Sequence, residues 1–224
     1  MKHWLLCAVL AQAVPMTALS ADEVVVPRLS GTVILDGRLS EPMWRLAARL
    51  PYTEFKRWVA DTYAMDPTSF QLLFFHDGAM LYVALASYDG YVESDAVPEN
   101  SDGLYSFSVA TPSGKLKHYR LRWSANPPVA TDQMYDSGEW GARLRGPYEE
   151  PTRAGGGYVF EFAIRLSAIG WKPGDTIPLN IIVNDRDGKP KMSYHTPGAE
   201  FARFAWGSFD NTNRAGYRSL KLAP

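Results

Sequence analysis

The chain has 224 residues, 13% of them aromatic, and a formal charge of −1 at pH 7. With 23 basic against 24 acidic residues and no basic run, it lacks the electrostatic footprint of a nucleic-acid binder. Its single cysteine, Cys7, lies in the N-terminal apolar stretch, so removal of that stretch leaves no disulfide, cysteinyl zinc site or thiol nucleophile.

In chain order, "MKHWLLCAVLAQAVPMTALSA" has one early lysine, an apolar run too short to span a bilayer, and small residues before Ala21. It reads as a signal peptide over 1–21, making the chain periplasmic or secreted with no transmembrane segment after cleavage. Residues 22–224 then form one domain. "ADEVVVPRLSGTVILDG" gives two β-branched runs, one or two edge strands. In "DGRLSEPMW" the Asp-Gly pair marks a turn, Ser40 is placed to cap a helix and Glu41 suits its positive end. Pro42 fits the first turn, and Trp44 with Ala47 and Ala48 faces the core, so the stretch is a clasp beside a sheet.

Residues 50–67 read as irregular, and "FQLLFFHDGAMLYVALASYD" as a hairpin. "LYSFSVATPSGKLKHYRLRWS" is a second hairpin, whose alternation turns Tyr105, Phe107, Val109, Tyr119, Leu121 and Trp123 one way. His118, Arg120 and Arg122 turn the other. Residues 124–157, rich in Pro, Gly and charge, read as a long loop. "GGGYVFEFAIRLSAIGWKPGDTIPLNIIVNDRDG" gives a strand, a turn of helix, a Pro-Gly-Asp turn and a strand. Its alternation sets Glu161 between Phe160 and Phe162, and Asn180, Ile182, Asn184 and Arg186 apart from Leu179, Ile181, Val183 and Asp185. Two more strand-like runs flank an Asn-rich loop near the end. Short strands with turn signals and only short helical turns define an all-β class, an antiparallel β-sandwich.

The series "ILDGRLSEPMW", "LYVALASYD", "GGYVFEFAIRLSAIGWKPGDTIPLNIIVND" and "YRSLKL", spanning residues 31–222, resembles the family 9 carbohydrate-binding modules and their wider sandwich relatives. The resemblance implies a jelly-roll-like sandwich, a carbohydrate ligand and, in some members, bound calcium. The family's arginine falls on Arg120, and its paired acids fall on Asp102 and Tyr105, the second acid being replaced. The family's first stacking tryptophan has no counterpart in "AVPENSD"; for the second, Trp206 stands in the last region, and Asn211 and Asn213 are counterparts for a loop asparagine.

Arg120 is the leading ligand-binding candidate, because a planar guanidinium donates two hydrogen bonds to neighbouring ring hydroxyls and keeps its charge. Glu161 and Asn184 are placed to share its polar face. Trp58, Trp140 and Trp206 lie outside the strongest core pattern, and an exposed indole suits the flat face of a pyranose, although for Trp206, between "FARFA" and "GSF", the core is the stronger reading. In "NDRDG", Asp185 and Asp187 have the first spacing of a calcium loop, but Lys189 and Thr196 occupy later ligand positions, so a turn is read there. Calcium held by other loops stays open.

Residues 22–224 hold three histidines, His76, His118 and His195, and no motif with a catalytic mechanism. The chain therefore reads as a non-catalytic carbohydrate-binding domain that supports breakdown of a glycan beside a glycan-degrading enzyme. Two alternatives remain. Related sandwich domains bind haem through methionine with histidine or lysine, for which Met80, Met134, Met192, His118 and His195 are available. An envelope domain that binds another protein is the other.

Overall fold

A computed structural model describes residues 23–59, 69–89, 102–122, 129–130, 138–144, 156–187 and 200–224. Among them the strands form two sheets. The larger runs β1 (Glu23–Val26), β13 (Arg218–Leu222), β11 (Thr176–Asp187), β6 (Gly103–Ala110), β7 (Leu116–Arg122) and β8 (Val129–Ala130). On the second half of β11 it adds β12 (Glu200–Trp206) and then β3 (Lys56–Val59). The smaller runs β2 (Ala48–Pro51), β4 (Ser69–His76), β5 (Met80–Tyr88), β10 (Tyr158–Arg165) and β9 (Gly138–Leu144). All neighbours are antiparallel except β1 and β13, which run parallel with Glu23 opposite Ser219. The class is all-β, a two-sheet sandwich.

Period-two alternation builds the core. Leu72, Phe74, Val83, Leu85, Phe160 and Phe162 of the five-stranded sheet join Phe107, Val109, Tyr119, Leu121, Ile181 and Val183 of the eight-stranded one in a single buried cluster. Phe107 meets Phe162 edge to face at 5.4 Å, and Phe70 meets Phe204 at 5.2 Å, each pair joining the two sheets. Glycine is required at Gly157, before β10: its φ is +118°, and a Cβ there would collide with the Ser87 carbonyl. The expected turn of helix is α2 (Leu166–Ile169), closed by Gly170 in the left-handed region.

A second buried cluster lies outside the five-stranded sheet. Met43 and Trp44 of helix α1 (Pro42–Leu46), with Ala47, pack on Leu73, Phe75 and Ala84. Trp44 is 2% exposed and meets Phe75 edge to face at 4.8 Å, so the clasp read from "DGRLSEPMW" is present. Its capping differs from expectation. Glu41, not Ser40, stands at the helix N-cap; its carbonyl accepts from the Trp44 N–H at 3.1 Å, but its side chain does not cap the helix, and its Oε1 instead accepts from the Ile34 N–H at 3.0 Å.

Of the one or two edge strands expected at the start, one forms, since the run Thr32–Leu35 is not a strand. Two readings of the sequence are corrected. Residues 50–67 and 124–157 are not wholly irregular, since they contain β3, β8 and β9, short strands completed by pairing with distant partners. Tyr105 leaves the face expected for it: Leu104 pairs with Leu121 and Phe107 with Tyr119, so Tyr105 and Ser106 together oppose Arg120. That extra residue is a β-bulge, which resets the alternation. Trp123 lies outside the described residues, as do residues 1–21. No helix among the described residues is long and apolar enough to cross a membrane.

Candidate functional site

The outer face of the eight-stranded sheet gathers the polar residues around the bulge. The Arg120 guanidinium stands over the Tyr105 ring, 5.1 Å from its centroid, and Arg203 of β12 stands over the same ring at 4.2 Å. Arg203 Nε donates to Asn184 Oδ1 at 3.0 Å. Opposite Arg203 in the β12–β3 pairing is Trp58, whose indole is 42% exposed and therefore open to a ligand.

Beside this open part the face is closed by the segment that follows β12. Ser106 and Ser108 share a 2.6 Å hydroxyl hydrogen bond, and Ser108 Oγ lies 2.7 Å from His118 Nδ1. Asn211 Nδ2 reaches Ser106 Oγ at 3.5 Å, while the Tyr217 hydroxyl donates to the Asn211 carbonyl. Asn180 ties the segment's start to β11, donating to Ser208 O and accepting from Ser208 N. Burial, and then the charge of Arg120, hold His118 below the usual imidazole pKa, so the ring is mostly neutral at pH 7.

Five of the expected residues thus come together here: Arg120, Tyr105, Asn184, Asn211 and Trp58. Arg203 was missed, because nothing along the sequence joins it to Tyr105. The other expectations are placed elsewhere. Asn213 caps a 3-10 turn through the Ala215 N–H and is exposed. Trp206 points into the main core at 1% exposure, since its strand position opposes inward Ile181. Trp140 lies on β9, in the other sheet, opposite Phe162; its side chain is outside what is described.

Glu161 also leaves the expected face. It lies on β10, with no exposure, on the outer side of the five-stranded sheet beneath the clasp, where its carboxylate accepts from the Gly37 N–H. Its second oxygen and Glu41 Oε2 are buried without a hydrogen-bond partner among the described residues. Burial, the bond to Gly37 working against it, and the nearby Glu41 and Asp36 charges leave its pKa raised to about 7. It fastens the clasp.

Asp102 is likewise not on the arginine face. It turns inward before β6 and meets Asp89, just after β5, and Asp185 of β11, all three buried. One carboxylate oxygen from each lies within 4.8 Å of the others. The Tyr158 hydroxyl is held well above its ordinary pKa by burial and then by these three carboxylates. Three buried acids so close repel unless a cation or protons neutralise them. For the haem alternative, Met80 and His118 stand on different sheets, and Met134, Met192 and His195 lie outside the described residues.

No protein-family model matches the chain, and no curated relative does. In structure it is similar to a carbohydrate-binding module of family 9 from Caldicellulosiruptor kristjanssonii in complex with cellotriose. The TM-score is 0.62 at 18% identity, over 90% of this chain and 93% of that one. A family 9 module from the same organism in complex with glucose matches with a TM-score of 0.57 at 16% identity, over 89% and 95% of the two chains. At such identities the likeness is one of fold, and this chain has a family 9-like sandwich fold.

Proposed function

We propose that this domain binds a carbohydrate on the outer face of its eight-stranded sheet and has no catalytic activity of its own. The observation that carries the reading is the grouping of Tyr105, Arg120 and Arg203 next to the exposed Trp58 indole. The indole offers a flat apolar platform for the CH face of a pyranose, and the guanidiniums donate hydrogen bonds to neighbouring hydroxyls. Trp58 comes from another strand than the family's missing tryptophan, yet supplies the same kind of surface. Similar modules that hold cellotriose and glucose support the reading.

Export directed by residues 1–21 and work beside a glycan-degrading enzyme belong to the same proposal. So does calcium, which Asp89, Asp102 and Asp185 would hold. Their donors are all oxygen, as a hard cation prefers, and a cation between them would offset their mutual repulsion. The ion would tie the ends of β5, β6 and β11 together, a structural role.

Calorimetry of the purified protein against soluble mono- and oligosaccharides, cellotriose and glucose included, tests the proposal. Heat from one sugar class, lost in Trp58→Ala and Arg120→Ala with unfolding unchanged, is the expected result. Silence across the panel, or binding that both variants retain, would overturn it.

A further inference from the structure

We infer that the ligand is an extended oligosaccharide lying across the strands, from the Trp58 indole on β3 to the Arg120 guanidinium on β7, so that no single sugar engages both ends. The inference rests on the carbohydrate reading and sets the size and direction of its ligand. Its first support is spacing. In the sheet order β3, β12, β11, β6, β7 the two residues stand four strand steps apart. Arg120 leans one strand toward Trp58, over the Tyr105 ring on β6. Three steps remain, roughly 14 Å, or about three pyranose rings end to end. One ring does not cover that distance.

The floor between the two ends runs in the same direction. Arg203 on β12 donates from Nε to Asn184 on β11 and lays its guanidinium over the Tyr105 ring on β6, so one side chain bridges three neighbouring strands. The direction along the strands is closed on one side by the segment that follows β12. Lys56, two residues before Trp58, donates to the Gly207 carbonyl at 3.1 Å, and the Asn180 amide on β11 bonds both the N–H and the carbonyl of Ser208. Further on, Asn211 reaches Ser106, the neighbour of Tyr105. The wall therefore keeps beside the row from β3 to β6. A sugar chain laid along the strands would run into it, whereas one laid across them follows its foot from the indole to the arginine. The two ends then make different contacts, a stacked ring at Trp58 and hydroxyls bonded by the guanidinium at Arg120. Among the described residues β3 is the last strand on its side of the sheet, so a chain longer than the row runs off the sheet there.

The experiment titrates the full chain with ladders of about one to six rings from the cello-, xylo- and manno-oligosaccharides, single sugars included. In the ladder that binds, joining the two contact points in one ligand should raise affinity at least about tenfold between one ring and about four, with no further gain beyond. With the four-ring member, Trp58→Ala and Arg120→Ala should each weaken binding; with the single sugar only one of them should. Thermal unfolding of each variant confirms that it is folded, and the length dependence of the unsubstituted protein is a test that needs no variant. Affinity that is the same at every length, or a single sugar weakened alike by both variants, would overturn the extended site and leave the carbohydrate reading standing. If no member of any ladder binds, the carbohydrate reading and this inference fall together.

Discussion

The outer faces of the two sheets have been put to opposite uses. That of the five-stranded sheet is roofed by the segment before β2, with Trp44 and Met43 seated on Leu73 and Phe75 and Glu161 sealed beneath. That of the eight-stranded sheet keeps an exposed indole, a tyrosine and two arginines in reach of solvent. A sandwich has two such faces, and that of the five-stranded sheet carries an apolar row, Leu73, Phe75 and Ala84, for the clasp to cover. Which one can bind is decided by which one the chain itself covers.

The largest effect should come from removing the roof. Trp44→Ala opens a cavity between clasp and sheet and should cost about 3 to 5 kcal/mol in urea unfolding. The molecules that remain folded should bind saccharide unchanged; a fully stable variant that had lost binding would reverse the roles of the two faces. A pH effect of about 3 kcal/mol should follow from the buried acid. Glu161 titrates at about 7 when folded against an ordinary 4.5, so the folded state holds its proton longer. Its contribution is then fully present below about pH 4.5 and is lost as pH rises through 7. Glu161→Gln should match the wild type in urea unfolding at pH 4.5 and exceed it at pH 8, and equal stabilities at pH 8 would show that the carboxylate is not buried under the clasp.

At the end of the sandwich where the three aspartates meet, calcium added to chelator-stripped protein should raise the unfolding temperature. The gain approaches about 2.7 kcal/mol at a hundredfold excess over Kd. Asp102→Asn should abolish the gain, and no shift at about 10 mM calcium would remove the metal from the account. The smallest change is at the open face. Trp58→Ala should leave stability within about 0.5 kcal/mol while weakening saccharide binding about tenfold, or about 1.4 kcal/mol. If it unfolds the protein instead, the indole is structural.

What the sequence discloses follows from the range of the interactions involved. The hairpin at His76–Met80, the helix over "LSAI" and the inward rows of β10 and β11 depend on neighbours in the chain, so periodicity and turn residues are enough to find them. The bulge is invisible: one extra residue between Leu104 and Phe107 carries Tyr105 from the core row to the arginine face, and no residue type marks it. Arg203 acquires its meaning from Asn184 and Tyr105, residues on other strands. Glu161 is read correctly as pointing outward and wrongly as available, because its cover comes from a segment 124 residues earlier. Asp102 turns away from the ligand face because it precedes the strand to which alternation applies, and its partners come from the ends of β5 and β11.

The parallel pairing of β1 with β13 bears on how the molecule assembles. Val24 and Val26 are fully part of the core, and their strand partners are Leu220 and Leu222, nearly the whole chain away. The loop entropy for that contact must be met before its burial is gained, which raises contact order and slows folding. Refolding should therefore lay down the central hairpins first and dock the chain's two ends last.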